Sequence, residues 1–274
     1  TKNYKILLRN VNTNAKNSID YKNSSNFNLL STFIFETKYP LFKKTEKFDN
    51  IFIPKLSLRF SPNETKNSTE KNARLTTNNI FDIDRSGQND LVETGQSVTL
   101  GFDYEKINKF NNSSFLNFST GVVLRDKNNF DLPNETSLGK KTSDLVGLLE
   151  FNPSKFFKFN YNFSIDNNLT QFNFNNITTS FTVNNLVTSF EFLEENKYYG
   201  ETSYLKNKTE YKVDENKSIL FETSQNLKTD LSEYYKLIYQ YQNDCLIASI
   251  EYDKEYYSDG ELKPREDIMF LIKL

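Results

Sequence analysis

The residues best suited to chemistry in this chain are one arginine and two carboxylates that lie close together. Arg85, Asp90 and Glu93 fall within nine consecutive positions, and an acid pair beside a guanidinium group is able to transfer protons. The neighbouring sequence supplies neither a nucleophile nor a set of metal ligands. We therefore favour a structural interpretation, in which the three residues form a polar network that folds a large loop.

The composition of the chain excludes several classes of enzyme and binding protein. Its 274 residues include no His and one Cys, Cys245, which excludes histidine-based triads and the usual zinc and thiol sites. The 34 basic and 36 acidic residues give a formal charge of −2, whereas a nucleic-acid binder presents a basic face. Gly87, Gly95 and Gly101 lack the spacing that cradles phosphate, and we assign them to tight turns or close packing. We expect no catalytic residue, cofactor or metal ion.

Apolar residues recur at every second position through most of the chain, which is the period of a β-strand. The clearest example is the stretch 155–166. One face of this stretch is apolar and comprises Phe157, Phe159, Tyr161, Phe163 and Ile165. The other face is polar and comprises Lys158, Asn160, Asn162, Ser164 and Asp166. In a membrane barrel we expect the first set to face lipid and the second set to face the lumen.

Clusters of Asn and Asp separate these strand-like stretches, as expected of residues that tolerate turn conformations. The pattern predicts roughly 14–16 antiparallel strands and no helix, in a single domain that covers residues 1–274. Two longer polar stretches, 10–28 and 63–79, are interpreted as loops. Long loops that alternate with short turns are typical of a transmembrane β-barrel. The alternative is a secreted β-sandwich with two flexible loops.

A spaced pattern connects the arginine, the carboxylates and the glycines. It begins at Asn79, ends at Tyr104 and reads N-I-F-x3-R-S-G-x2-D-x2-E-x-G-x5-G-x2-Y. This block resembles the middle of the C-terminal barrel region of the LptD (OstA, Imp) family of LPS-assembly proteins. The Tyr39-Pro40-Leu41 step upstream and the 243–252 segment near the end are also similar to that family. The resemblance covers most of residues 39–274.

The resemblance implies an outer-membrane β-barrel that assembles lipopolysaccharide at the cell surface and is not an enzyme. It implies four partners: lipopolysaccharide, a plug lipoprotein similar to LptE, a periplasmic bridge protein similar to LptA, and outer-membrane lipid. The family's N-terminal periplasmic domain and first barrel strands have no counterpart in this sequence, so we interpret the chain as the C-terminal portion of a large barrel, cut from a longer precursor. A porin-like channel or a secreted β-structured surface protein remains the alternative. A porin is not expected to carry the block 79–104.

The same resemblance gives Cys245 a role. The residue lies in a polar turn before an alternating strand, and the family's topology places that turn at the periplasmic rim. A free thiol is unexpected in an oxidising compartment unless its partner lies elsewhere. The resemblance implies a disulfide with a cysteine of the family's N-terminal region, outside this chain. An inert free thiol is the alternative.

Overall fold

The structure is a computed structural model that describes residues 2–11, 26–62, 74–83, 85, 93–133, 136–197, 200–256 and 264–273, with side chains from residue 31 onward. It is all-β, and the described residues contain one further element, the short 3-10 helix Ser137–Gly139. The strands are β1 Lys2–Val11, β2 Asn26–Lys38, β3 Leu41–Lys44, β4 Phe48–Ser61, β5 Gly95–Asn108, β6 Ser113–Arg125, β7 Leu145–Ser154, β8 Phe157–Ile165, β9 Phe172–Val183, β10 Leu186–Glu195, β11 Thr202–Lys212, β12 Lys217–Asn226, β13 Leu231–Gln242, β14 Ile247–Glu255 and β15 Arg265–Lys273. Across the described ranges, no helix has the length and apolar character needed to cross a membrane.

The strands pair in the order in which they follow along the chain. The order is β1-β2-β4 and then consecutively to β15, with the short β3 paired to β4. Every register that is defined, from β1–β2 to β14–β15, is antiparallel. The predicted antiparallel all-β fold is therefore confirmed.

The two-residue alternation of side chains along each strand explains which side chains share a face of the sheet. The predicted strand in 155–166 is β8, and it pairs with β9 so that Tyr161 lies opposite Ile177 and Asn160 lies opposite Thr178. The register of β9 with β10 then places Phe192 beside Ile177 and Glu191 beside Thr178. Because a strand directs alternate side chains to opposite faces, an apolar face and a polar face continue from strand to strand.

Close contacts divide the chain into two compact units. The first unit comprises Thr1–Leu41, Phe52–Asp103 and Ser119–Val146. The second comprises Phe42–Ile51, Tyr104–Phe118 and Gly147–Leu274. The single domain expected from the sequence stays a prediction.

The first unit contains the apolar core found in the described residues. The core joins side chains from the segments between strands to side chains of the strands themselves. Its buried members are Leu75, Ile80, Val123, Leu132, Leu138 and Val146. Residues 63–73 of the predicted loop 63–79 lie outside the described residues, and the segment from Arg74 carries Leu75 into the core.

In the second unit, short turns join the strands at one end and a second set of connections joins them at the other end. Residues 155–156, 184–185, 213–216 and 243–246 form the short turns of two to four residues, and residues 166–171, the described residues of 196–201, and residues 227–230 belong to the second set. Asn184 has a φ of 51°, a left-handed conformation that asparagine tolerates better than most residues and that two-residue hairpin turns require. Of the predicted loop 10–28, residues 10–11 belong to β1 and residues 26–28 to β2, and residues 12–25 lie outside the described residues.

Candidate functional site: a buried arginine–glutamate network

One asparagine, Asn79, holds the segment that begins at Arg74. The side-chain oxygen of Asn79 accepts a hydrogen bond from the backbone N–H of Thr76 at 2.8 Å. Its side-chain nitrogen donates to the carbonyl oxygens of Arg74, at 2.7 Å, and Arg85, at 2.9 Å. One amide thus joins Arg74 to Arg85. We call this segment, together with the residues that follow it, the inner loop (described residues 74–83, 85 and 93–94).

Two glycines make room for the apolar residues that follow Asn79. A Cβ added to Gly121 would lie 3.0 Å from Cδ1 of the buried Ile80, and one added to Gly101 would lie 2.9 Å from Cζ of Phe81. Both glycines therefore face the inner loop, on strands β6 and β5. A larger residue at either position would push the loop away from the sheet.

Arg85 and Glu93 form a bidentate ion pair. The Arg85 Nε donates to Glu93 Oε2 at 2.7 Å, and its Nη2 donates to Glu93 Oε1 at 2.5 Å. Arg85 also donates to the hydroxyls of Thr99, at 3.0 Å, and Ser97, at 2.7 Å, both on β5. Arg85 is 2% exposed and Glu93 is 4% exposed, so the pair is removed from water.

Two further arginines approach the same carboxylate from neighbouring strands. Arg125, at the end of β6, donates to Glu93 Oε1 and to the carbonyl oxygen of Thr94. Arg59, on β4, holds its Nε 3.8 Å from Glu93 Oε2. Arg59 also donates to the carbonyl of Ile83 at 2.9 Å and to that of Asp82, so it ties the inner loop to β4.

The electrostatics of this network favour the ionised carboxylate. Burial by itself raises the pKa of Glu93, but the charges of Arg85, Arg59 and Arg125 outweigh burial and lower the pKa to about 2. For Arg85, burial is the largest influence and lowers the pKa to about 10, although Glu93 acts in the opposite direction. Both groups are therefore charged at neutral pH.

The arrangement suits fastening better than catalysis. Each oxygen of Glu93 accepts from a guanidinium group, and Arg85 directs its donors at protein groups. A general base needs a free lone pair and a nucleophile needs an activating partner. In the part of the chain that the structure describes, no group of three or more His, Cys, Asp or Glu residues is placed to hold a metal ion.

The structure brings together two of the three residues singled out in the sequence. Arg85 and Glu93 are paired, whereas Asp90 and Gly87 lie outside the described residues. Arg59 and Arg125 were missed. The signal for Arg59 was the alternation of 57–61, where a charged residue stands between the apolar Leu58 and Phe60.

The other predicted site residue, Cys245, lies in the turn 243–246 at the end of β13. The side-chain oxygen of Asn243 accepts hydrogen bonds from the backbone N–H groups of Cys245, at 3.0 Å, and Leu246, at 2.9 Å. Cys245 is exposed and has no disulfide partner within the described residues. Its thiol is therefore accessible from outside the turn.

Large apolar side chains are exposed along the strands of both units. In the first unit, Phe33, Phe35, Leu58 and Phe60 are exposed, while Ser57, Arg59 and Ser61 on the intervening positions of β4 are buried. In the second unit, one face of the strands carries the exposed residues Phe190, Leu205, Phe221, Leu237 and Ile250. An antiparallel sheet with an apolar outer face and a polar opposite face is the architecture of a transmembrane β-barrel.

The class defined by this fold is thus the outer-membrane β-barrel. The model of the LptD family, described as LPS transport system D, matches residues 3–229. That match covers most of the sequence, so the chain belongs to the LptD family, and its role is in lipopolysaccharide transport and assembly at the outer membrane. A search among curated proteins returned no match.

Proposed function

We propose that this chain is a segment of the β-barrel of a lipopolysaccharide translocon, in which residues 1–274 act as one domain. The apolar face of β8–β15 meets lipid, and the polar face lines a lumen through which the hydrophilic glycan passes. The observation that carries the proposal is the inner loop, held against the polar face of β4–β6 by the Arg85–Glu93 network. A polar interior suits sugars and phosphates.

Photo-crosslinking from the two faces of β8 and β9 tests which face of the sheet lipopolysaccharide contacts. A photoreactive residue at Asn160 or at Thr178, which lie opposite each other on the polar face, is expected to capture lipopolysaccharide. The matched controls are Phe159 and Thr179 on the apolar face, where phospholipid is expected. Absence of lipopolysaccharide adducts from the polar face, together with passive ion conductance, would indicate a porin-like channel.

The inner loop contributes to assembly or to docking of a plug lipoprotein similar to LptE. Removal of Arg85 leaves Glu93 facing Arg59 and Arg125 without its bidentate partner, so the loop loses its main attachment. We expect Arg85→Ala to reduce the amount of assembled barrel or of co-purified plug protein, as measured by heat-modifiable migration and pull-down. A hydrolytic or transfer activity that disappears with Arg85 would contradict the non-enzymatic role.

Cys245 connects the barrel to a periplasmic region that also receives lipopolysaccharide from a bridge protein similar to LptA. Its exposed position in the turn 243–246 leaves the thiol accessible to a cysteine from outside this chain. Non-reducing electrophoresis of the full-length protein tests this disulfide. We expect Cys245→Ser to change the migration under oxidising conditions. Unchanged migration, with free alkylation of Cys245 in the parent protein, would make the thiol a bystander.

A further inference from the structure

A row of phenylalanine rings crosses five strands of the second unit. Its ring centroids are separated by 5.1 Å from Phe48 to Phe115, by 5.3 Å from Phe115 to Phe151, by 6.3 Å from Phe151 to Phe157, and by 5.0 Å from Phe157 to Phe181. These rings belong to β4, β6, β7, β8 and β9, near the ends joined by short turns. We call them the phenylalanine row. Aromatic rings at this position of a membrane strand belong to the interface between hydrocarbon and headgroups.

Lysines surround the phenylalanine row. The segments 42–51, 104–112 and 153–157 contain six lysines and three acidic residues. We call these lysines the lysine rim: Lys43, Lys44, Lys47, Lys106, Lys109 and Lys155.

Contacts bring the lysine rim and the phenylalanine row into one surface. The Lys106 ammonium lies 4.2 Å from the ring centroid of Phe48 and 5.1 Å from that of Phe115. Lys109 donates to the carbonyl oxygen of Thr45 at 2.7 Å, and its backbone N–H donates to the carbonyl oxygen of Lys47, so two turns are joined. Such lysines keep an aliphatic stem over apolar groups and a charge in the polar layer.

Most of the positive charge of the lysine rim is not neutralised by the protein. Lys109 is paired with Asp49 at 3.3 Å, while Lys43, Lys44, Lys47 and Lys155 form no ion pair with any described residue. Phe42, Phe110 and Phe156 stand exposed beside these lysines, with Phe110 exposed to 81%. The turns therefore present apolar rings together with unneutralised ammonium groups.

The connections at the opposite ends of β8–β15 have the opposite charge. The described residues of 166–171, 194–201, 226–231, 255–256 and 264–267 contain eight acidic residues and three basic ones. The basic character is therefore specific to the lysine rim and does not reflect a general excess of lysine, since the whole chain has a charge of −2.

We propose that the lysine rim and the phenylalanine row bind the phosphate groups of anionic phospholipids. The proposal rests on the placement of the apolar face in a membrane, and it adds a lipid class and a location. The rings lie at the level of the acyl chains, and the ammonium groups lie one layer above, at the level of the headgroups. This arrangement matches a phospholipid, whose phosphate lies directly above its acyl chains. A free phosphate ion has no apolar part that could contact the rings. The ligand is therefore a lipid surface.

Native mass spectrometry of the folded full chain, released from micelles that contain phosphatidylglycerol or phosphatidylcholine, tests the proposal. The test variant is Lys44→Gln with Lys47→Gln and Lys155→Gln, three exposed lysines of the rim. The matched control is Lys127→Gln with Lys141→Gln and Lys228→Gln, which removes the same charge from other turns. A third variant replaces Lys44, Lys47 and Lys155 by Arg.

We expect the parent protein to retain phosphatidylglycerol and not phosphatidylcholine. The Gln variant of the rim is expected to lose retention by about fivefold per lysine, which corresponds to the usual attraction of one basic residue to an anionic membrane. The control and the Arg variant are expected to retain the lipid, and the Arg variant distinguishes lost charge from lost folding. Equal losses in the rim variant and the control, or competition by glycerol phosphate as effective as by lipid, would overturn the proposal. Lipopolysaccharide crosslinking from the polar face is unaffected by either result.

Discussion

The charged residues on the polar face of β4–β6 and those on the polar face of β11–β14 are placed by the same strand period but lie in different surroundings. Around Glu93, the side chains of Arg85 and Arg125 are almost fully buried. On β11–β13, Lys208 approaches Glu222 to 2.6 Å while 59% of the Lys208 side chain remains exposed. The inner loop covers the first set of charges. A loop that folds onto the sheet, and not the strand pattern, therefore decides how much an ion pair matters.

The largest expected effect is the loss of the shared carboxylate. Glu93→Ala leaves three arginines without their common partner, and breaking a buried ion pair of this kind costs about 3–5 kcal/mol of unfolding free energy. The matched change Glu222→Ala removes a partly exposed pair and is expected to cost about 1 kcal/mol or less. Urea unfolding of the refolded protein in detergent measures both. Equal losses would mean that the inner loop does not shield the network.

The second prediction concerns the region without such a loop, which relies on its apolar face. Tyr161→Arg places a charge on the apolar face of β8 and is expected to cost about 2–4 kcal/mol if the site lies near the bilayer midplane. Asn160→Arg, one position away on the polar face, is expected to be nearly silent. Folding yields in lipid vesicles measure the difference. If both variants fold equally well, the assignment of the two faces fails.

Lowering the pH tests the buried network around Glu93 without a mutation. Because the folded-state pKa of Glu93 is lowered from 4.5 to about 2, its contribution to stability is complete above pH 4.5 and is lost as the pH falls towards 2. Linkage sets this loss at about 3 kcal/mol. Proteolysis of the inner loop across this pH range measures the effect, with Glu93→Gln as the variant that lacks the titrating group. A Gln variant with the same pH profile would assign the effect to another residue.

The smallest expected effect compares two glycines. At Gly101 an added Cβ would lie 2.3 Å from the backbone oxygen of Thr120, whereas at Gly147 the three nearest atoms would belong to the ring of Phe163, the closest at 2.0 Å. A backbone oxygen cannot move aside, so Gly101→Ala is expected to cost about 1–3 kcal/mol. The Phe163 ring can rotate over the apolar face, so Gly147→Ala is expected to cost less. Thermal unfolding measures both, and the reverse order would contradict this account.

The alternation of apolar and polar residues predicted most of the strands. This pattern is local, and each strand of β8–β15 exposes one apolar face. The resemblance to the LptD family was carried by the block 79–104, which the structure resolves into separate tasks: Asn79 fastens the inner loop, Gly101 receives Phe81, and Glu93 pairs with Arg85. The arginines on β4 and β6 could not be predicted, because no local pattern records which distant strand faces a loop. Arg125 lies 32 positions from Glu93.

The four charged residues of the network come from three separate parts of the chain, β4, the inner loop and β6, and this has a consequence for the order of folding. Until β4, β5, β6 and the inner loop are all in place, at least one guanidinium group has no carboxylate beside it in a partly formed sheet. Ordering these segments costs chain entropy before the ion pairs compensate for it. We therefore expect the network to close late, and the described residues of the inner loop to be open to proteases in an unfinished chain. Protection of that segment marks a completed molecule.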